Sequence, residues 1–311
     1  MRRVITSKTT LILVLCSFML FKDLFLPVPS VGGESAVKRV VSLAPSITES
    51  LEVMSFASKI VGVTKYDSFR STCEKEIAVV GGFSTPSLEK IMSLQPDLVI
   101  GISTFHHKIL KKLDNFGIHT LEIEPHRRLS EVEVSFYKIG EALGSIQQAK
   151  ENWNSITRHL DDVKAMVRNT FPGGSPSVLI VVWHDPLTVA GGYNYIDDIL
   201  DLIGVPNAAG NIKFTFPTID REKLLLLNPD VILIASAKTG MSIDVDDFLN
   251  VFGDLPLEAI KKKRVTFVKS DLLFHPGPKA PETALLVVKS LSSLYGKKVE
   301  MCVEGQKLLQ K

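Results

Sequence analysis

The chain has 311 residues, 45% hydrophobic and 23% charged, which is a globular composition with length enough for about two domains. Lys and Arg number 36 against 34 for Asp and Glu, so the net charge of +2 creates no basic field to recruit nucleic acid. The basic cluster at 261–264 reads as a solvated helix end.

In chain order, Arg2 and Arg3 precede the apolar run LILVLCSFMLF, and LPVPSVGG follows with small and turn-forming residues. This reads as a secretory signal over residues 1–30, with cleavage near Ser30; an uncleaved anchor extended through Leu24 to Val28 is the alternative. Leu15 before Cys16 is too large for a lipidation site. The mature chain keeps Cys73 and Cys302, read as separate thiols rather than a bridge, with no spacing that suggests a structural metal.

From Lys38, KRVVSLAPSITESLEVM gives a short Val-rich strand, a Pro-containing turn and a helix. Ser46 and Glu49 have capping-box spacing for its start. IVGVTKY, DLVIGIS followed by the helical HHKILKKLDNFG, and IHTLEIE repeat the strand and helix alternation. Near-continuous apolar strands alternating with helices predict a parallel sheet covered on both faces. The strand signal then vanishes, and Ile146, Trp153, Ile156, Leu160, Val163 and Val167 recur at helical spacing along one long helix. FPGGSPS breaks it, and SVLIVVWHD, NPDVILIAS and KRVTFVKSD form a second α/β series. The expected organisation is an α/β lobe over 37–143, a linking helix over 144–170 and a second α/β lobe over 175–311.

One unit occurs twice. EKIMSLQPDLVIGIS begins at Glu89, and EKLLLLNPDVILIAS begins at Glu222. Pro96 and Pro229 should stop the helices, and Asp97 and Asp230 should precede the strands. Phe83 and Phe216 stand at matching distances upstream, each before a turn containing Pro86 or Pro217. Each lobe thus offers an aromatic ring and a carboxylate in equivalent places.

No catalytic signature appears: there is no GxSxG elbow, no Walker-type loop, no GxGxxG after a strand and no HExxH. A metal-dependent hydrolase would have to assemble His106, His119, His126 and Asp185 from separate loops, and nothing in their spacing demands it. Adjacent His106 and His107 cannot face the same way on a helix.

Together RVVSLAPSITE, VGVTKYD, GGFSTPSLEKIMSLQPDLVI, the long helix and SDLLFHPGPKAPETALLVVKSL resemble the periplasmic substrate-binding proteins whose lobes are joined by a single helix. That group serves ABC importers of cobalamin, ferric siderophores and haem, and the resemblance is nearest to its cobalamin-binding member. It covers roughly residues 37 to 295. The resemblance implies two α/β lobes with a ligand cleft between them, export to the periplasm or cell surface, a monomer without turnover, and delivery to the membrane subunits of an ABC importer. The transported ligand would be cobalamin or another corrinoid, with a ferric siderophore, haem or a bare metal ion as rivals, and no intrinsic cofactor or protein-bound metal is expected.

Open α/β sheets place ligands at the carboxyl ends of their strands. The expected ligand contacts are therefore Pro45, Ser46, Tyr66, Phe83 and Phe105 from the first lobe, and Trp183, His184, Phe216 and His275 from the second. A flat macrocycle needs wide apolar faces, which Phe83 and Phe216 would supply from opposite sides. The cobalamin-binding relative has tryptophans at those two positions. The resemblance also implies that Glu89 and Glu222 dock onto arginines of the importer's two membrane subunits.

Overall fold

A computed structural model describes residues 37–67, 77–236 and 244–298. The signal or anchor segment, Cys73 and Cys302 lie outside the described residues.

The first lobe is a five-stranded sheet of β1 (Val40–Ser42), β2 (Ile60–Val63), β3 (Ala78–Val79), β4 (Leu98–Ile102) and β5 (His119–Ile123), in the order β3-β2-β1-β4-β5. Every pairing in it is parallel. Its helices are α1 (Pro45–Val53), α2 (Leu88–Ser93), α3 (Ser103–Asn115) and α4 (Leu129–Ala142). Successive strand residues point to opposite faces, and both faces are apolar here. Val40, Leu98, Ile100 and Ile102 join the core under α1 and α4, while Val41 and Val99 join a separate cluster with Ile91, Leu110 and Leu113 of α2 and α3.

The linking helix α5 (Ile146–Thr170) has 25 residues, about 37 Å at the α-helical rise. Its Ala149, Trp153, Ile156, Leu160, Val163, Met166 and Val167 form one buried stripe, the face that the spacing predicted except at Ile146, which is exposed in the first turn.

The second lobe contains β6 (Val178–His184), β7 (Leu187–Val189), α6 (Tyr195–Ile203), α7 (Arg221–Leu227), β8 (Val231–Ser236), α8 (Val245–Phe252), α9 (Glu258–Lys261), β9 (Val265–Lys269) and α10 (Ala280–Leu294). Its sheet order is β7-β6-β8-β9. This sheet is parallel except at one edge, where β7 pairs antiparallel with β6 across a tight turn at Asp185 and Pro186. Two residues cannot hold the crossover that a parallel neighbour needs. The main core runs without interruption from the first lobe through α5 into α6, α10 and the inner face of the second sheet.

The capping box expected at Ser46 does not form. Helix α1 begins at Pro45 with Ala44 as its cap residue, and no side chain caps it. Proline is pre-organised for the first helical position and has no N–H to satisfy, so the helix starts two residues earlier than a Ser46 cap would place it. Ser46 and Glu49 are then carried inward and buried.

Both copies of the repeated unit use the same devices. Ser87 and Asp220 cap α2 and α7 by accepting hydrogen bonds from the Lys90 and Lys223 amides. Gln95 and Asn228, each directly before the proline, adopt left-handed backbone with φ of 46° and 36° and end the helices. Asp97 then accepts the Lys38 and Arg39 amides at 2.8 Å each. Asp230 accepts the Ser177 amide and hydroxyl at 2.9 Å each. Each carboxylate ties the start of its own strand to the start of the neighbouring strand.

Candidate functional site

The aromatic candidates follow strand ends in both lobes. Tyr66 lies just past β2 and is exposed, with the Lys65 ammonium 4.9 Å from its ring centroid. Phe83 sits in the turn after β3. Gly81 opens that turn at φ 137°, where a Cβ would meet the Thr85 carbonyl at 2.6 Å, so only glycine fits. Phe105 is exposed in the first turn of α3, in a stretch that reads in sequence as a loop. Its ring stands 4.8 Å from that of Phe83.

His106 holds this pair from below. It is fully buried, its Nδ1 accepts the Ile102 amide at 2.8 Å, and its Nε2 donates to the Phe83 carbonyl at 2.7 Å. Its ring packs edge-on to Phe83 at 5.1 Å. Both nitrogens are committed, so His106 has no lone pair for a metal. Burial lowers its pKa, with the Phe83 carbonyl opposing.

In the second lobe Trp183 and His184 end β6 with ring centroids 5.2 Å apart. The indole donates to the Asp185 carbonyl at 2.5 Å, while His184 Nδ1 is buried without a partner. Phe216 is 48% exposed, and Phe214 beside it is 72% exposed. Their loop is held by backbone bonds: Gly191 donates to Thr215, Val189 to Pro217, and the Asn194 side chain to Thr215. A Cβ on Gly191 would fall 2.1 Å from the Phe214 carbonyl, so this close approach requires glycine. Phe214 falls where the first copy has Gly81, so the repeat gives no signal for it.

Of the remaining candidates, Ser46 lies against the second lobe, its Cβ 3.6 Å from a Cβ built on Gly277. Pro45 is half-buried at the start of α1, Ser46 is buried, and His275 is half-buried in the segment 274–279. Asp67 faces that segment electrostatically: it accepts the Thr64 amide and hydroxyl at 2.9 and 2.6 Å, and its Oδ1 is buried without a partner. Burial raises the Asp67 pKa, against the Thr64 hydrogen bonds and the charge of His275. Burial lowers the His275 pKa, against Asp271 and Asp67. Two ion pairs, Arg128 with Asp198 and Lys279 with Glu52, also join the lobes.

The four residues that a hydrolase would need are dispersed. His106 is consumed internally, and His119 starts β5 exposed. His126 donates to the Pro276 carbonyl, and Asp185 is exposed in the β6–β7 turn. Among the described residues no group of three His, Cys, Asp or Glu could hold a metal ion. Among the described residues no helix is long and apolar enough to cross a membrane. Glu89 and Glu222 are both exposed in the first turns of α2 and α7.

A family model described as periplasmic binding protein matches residues 40–272. An uncharacterised ABC transporter substrate-binding lipoprotein of Bacillus subtilis, YvrC, is 30% identical over 249 residues, spanning 79% of this chain and 77% of its own. A cobalamin-binding protein of Halobacterium salinarum is 25% identical over 216 residues, 68% of this chain and 56% of its own. The solved structure of HutB, a periplasmic haem-binding protein of Vibrio cholerae, aligns with a TM-score of 0.69 at 21% identity and covers 81% of this chain and 97% of that one.

Proposed function

The chain belongs to the periplasmic binding protein family, and from that premise we propose that it captures a metal chelate outside the cytoplasm, a cobalamin or related corrinoid first, and hands it to the membrane subunits of an ABC importer. The family's members are substrate-binding transport proteins, and what they carry is cargo rather than a resident cofactor. The observation that carries the ligand class is the pair of aromatic faces, Phe83 with Phe105 on one lobe and Phe216 with Phe214 on the other. A broad, partly apolar ring system is the ligand such faces accommodate, since aromatic area supplies most of the affinity and a few polar groups set orientation. The cobalamin-binding relative supports the corrinoid within that class.

Haem is the second reading. His184, beside Trp183 and with its buried Nδ1 unpartnered, is the candidate axial ligand once the site rearranges around haem, and haem-binding proteins share the fold. For handover, Glu89 and Glu222 supply one exposed carboxylate per lobe at equivalent helix starts, a pseudo-symmetric pair suited to a two-fold partner.

The test is equilibrium binding of cyanocobalamin, haem, a ferric siderophore and zinc, followed by tryptophan quenching. The chain has two tryptophans, Trp183 in the candidate site and Trp153 buried in α5, and a coloured macrocycle quenches both by energy transfer, so the signal reports ligand uptake. Tight cyanocobalamin binding supports the corrinoid reading, and preference for haem selects the second. Binding of zinc alone would sink both.

A further inference from the structure

The segment 274–279 belongs to the second lobe by chain but lies on the first. His126 Nδ1 donates to the Pro276 carbonyl at 3.2 Å, and Lys279 Nζ donates to Glu52 Oε2 at 3.0 Å. Between them, a methyl built on Gly277 would stand 2.8 Å from Glu49 Oε2. The Gly277 carbonyl accepts a hydrogen bond from the buried Tyr195 hydroxyl of α6 at 3.0 Å. The segment is thus anchored to its own lobe and laid across α1 of the other.

What it covers is unusual. Glu49 is 9% exposed, and its Oε2 has no hydrogen-bond partner. Asp67 Oδ1 and His126 Nε2, also on the first lobe, are buried and unpartnered too. A neutral carboxyl tolerates such a site at a cost, whereas a carboxylate cut off from water does not. Ionisation of Glu49 is therefore favoured when Gly277 moves aside and water reaches Oε2.

We propose that the segment 274–279 is a proton-controlled latch between the lobes, closed over Glu49 while that carboxyl is neutral and lifted when it ionises and takes up water. The charged surroundings agree. Lys279 of the latch favours the carboxylate, whereas Glu52 of α1, Glu282 of α10 and Asp67 after β2 oppose it. Tyr195 of α6 faces it as a neutral phenol, and His275 of the latch faces Asp67. Burial is the largest influence and holds the Glu49 pKa at about 8 in the closed state. With the closed-state pKa above the ordinary carboxyl value, closure is fully favoured below that ordinary range. It weakens as pH rises toward 8 and changes no further above it.

The inference concerns the ligand-free chain and does not depend on which chelate is carried. Hydrogen exchange of the full chain, corrected for intrinsic chemistry, tests it on a peptide spanning 271–283. Protection there should fall about tenfold or more between pH 5.5 and 8.5, with β4 unchanged. Glu49→Gln, permanently neutral, should keep the segment protected at both pH values. Protection independent of pH in the unmodified chain would overturn the latch, as would a Glu49→Gln variant with the original pH dependence. Because the first measurement needs no variant, the proposal stays testable if the substitution impairs folding. Carbon NMR of side-chain-labelled glutamates gives an independent reading, and absence of any glutamate carboxyl titrating above the ordinary carboxyl range would also overturn it.

Discussion

The two copies of the repeated unit agree in backbone chemistry and differ in how they hold their aromatic residue. Helix cap, left-handed residue before proline and strand-tying carboxylate coincide in both. Phe83, however, packs on Phe105 and His106 and against the core, while Phe216 projects from a loop held only by main-chain and Asn194 bonds. Leu226 is 80% exposed where the first copy has Ser93. The lesson is that the scaffold is specified by a few backbone-directed contacts, which leaves the presented side chains free to diverge.

The strongest probe of that shared scaffold is removal of its carboxylates. Asp97→Ala should cost about 2 to 3 kcal/mol in urea unfolding, since two amides lose a charged acceptor. Asp230→Ala should cost less, because only one amide is stranded and the Ser177 hydroxyl can turn elsewhere. Equal costs would mean that the two clamps are interchangeable.

The aromatic contrast comes next. Phe83→Ala and Phe216→Ala should each weaken chelate binding by about 1 to 3 kcal/mol. Only Phe83→Ala should also lower the unfolding midpoint, because only that ring is packed into its lobe. Unchanged affinity in both variants would remove the two-faced cleft.

Acidification should act on the first lobe through His106. Its folded-state pKa is depressed by burial, so its contribution is complete above the ordinary histidine range and is lost as pH falls below it. His126 and His275 are depressed as well, so His106→Gln should reduce the acid-side loss of stability rather than abolish it. Urea midpoints at pH 7.5 and 5 would show this, and an unchanged slope would count against the assigned role.

The smallest effect on stability belongs to Glu89→Lys and Glu222→Lys, about 0.3 to 1 kcal/mol each through the helix dipole. Their effect on uptake should be larger: solute affinity stays intact, importer association weakens, and the double variant is worse in a salt-sensitive way. Normal uptake by the double variant at low salt would leave the repeat as a folding unit alone.

Much of the architecture could be read from the order of residues because it rests on local physics. Apolar runs such as LVIGI and VILIAS are legible as buried strands, the stripe from Trp153 to Val167 as one helix face, and Pro96 and Pro229 as stops, because each needs only neighbours a few residues away. The antiparallel β7 edge escaped because its short strand carries no distinctive pattern, and the false capping box at Ser46 arose because a spacing of three says nothing about which residue starts the helix. The site was legible only in part. Phe83, Phe216 and Tyr66 could be proposed from their loops, but that His106 supports Phe83 depends on a close packing against Gly101 that no linear pattern encodes. The burial of the unpartnered Glu49 Oε2 is likewise invisible in the string, since it arises from a segment more than two hundred residues away being laid over it. Burial and partner choice are properties of space, and a carboxyl's charge state follows from them.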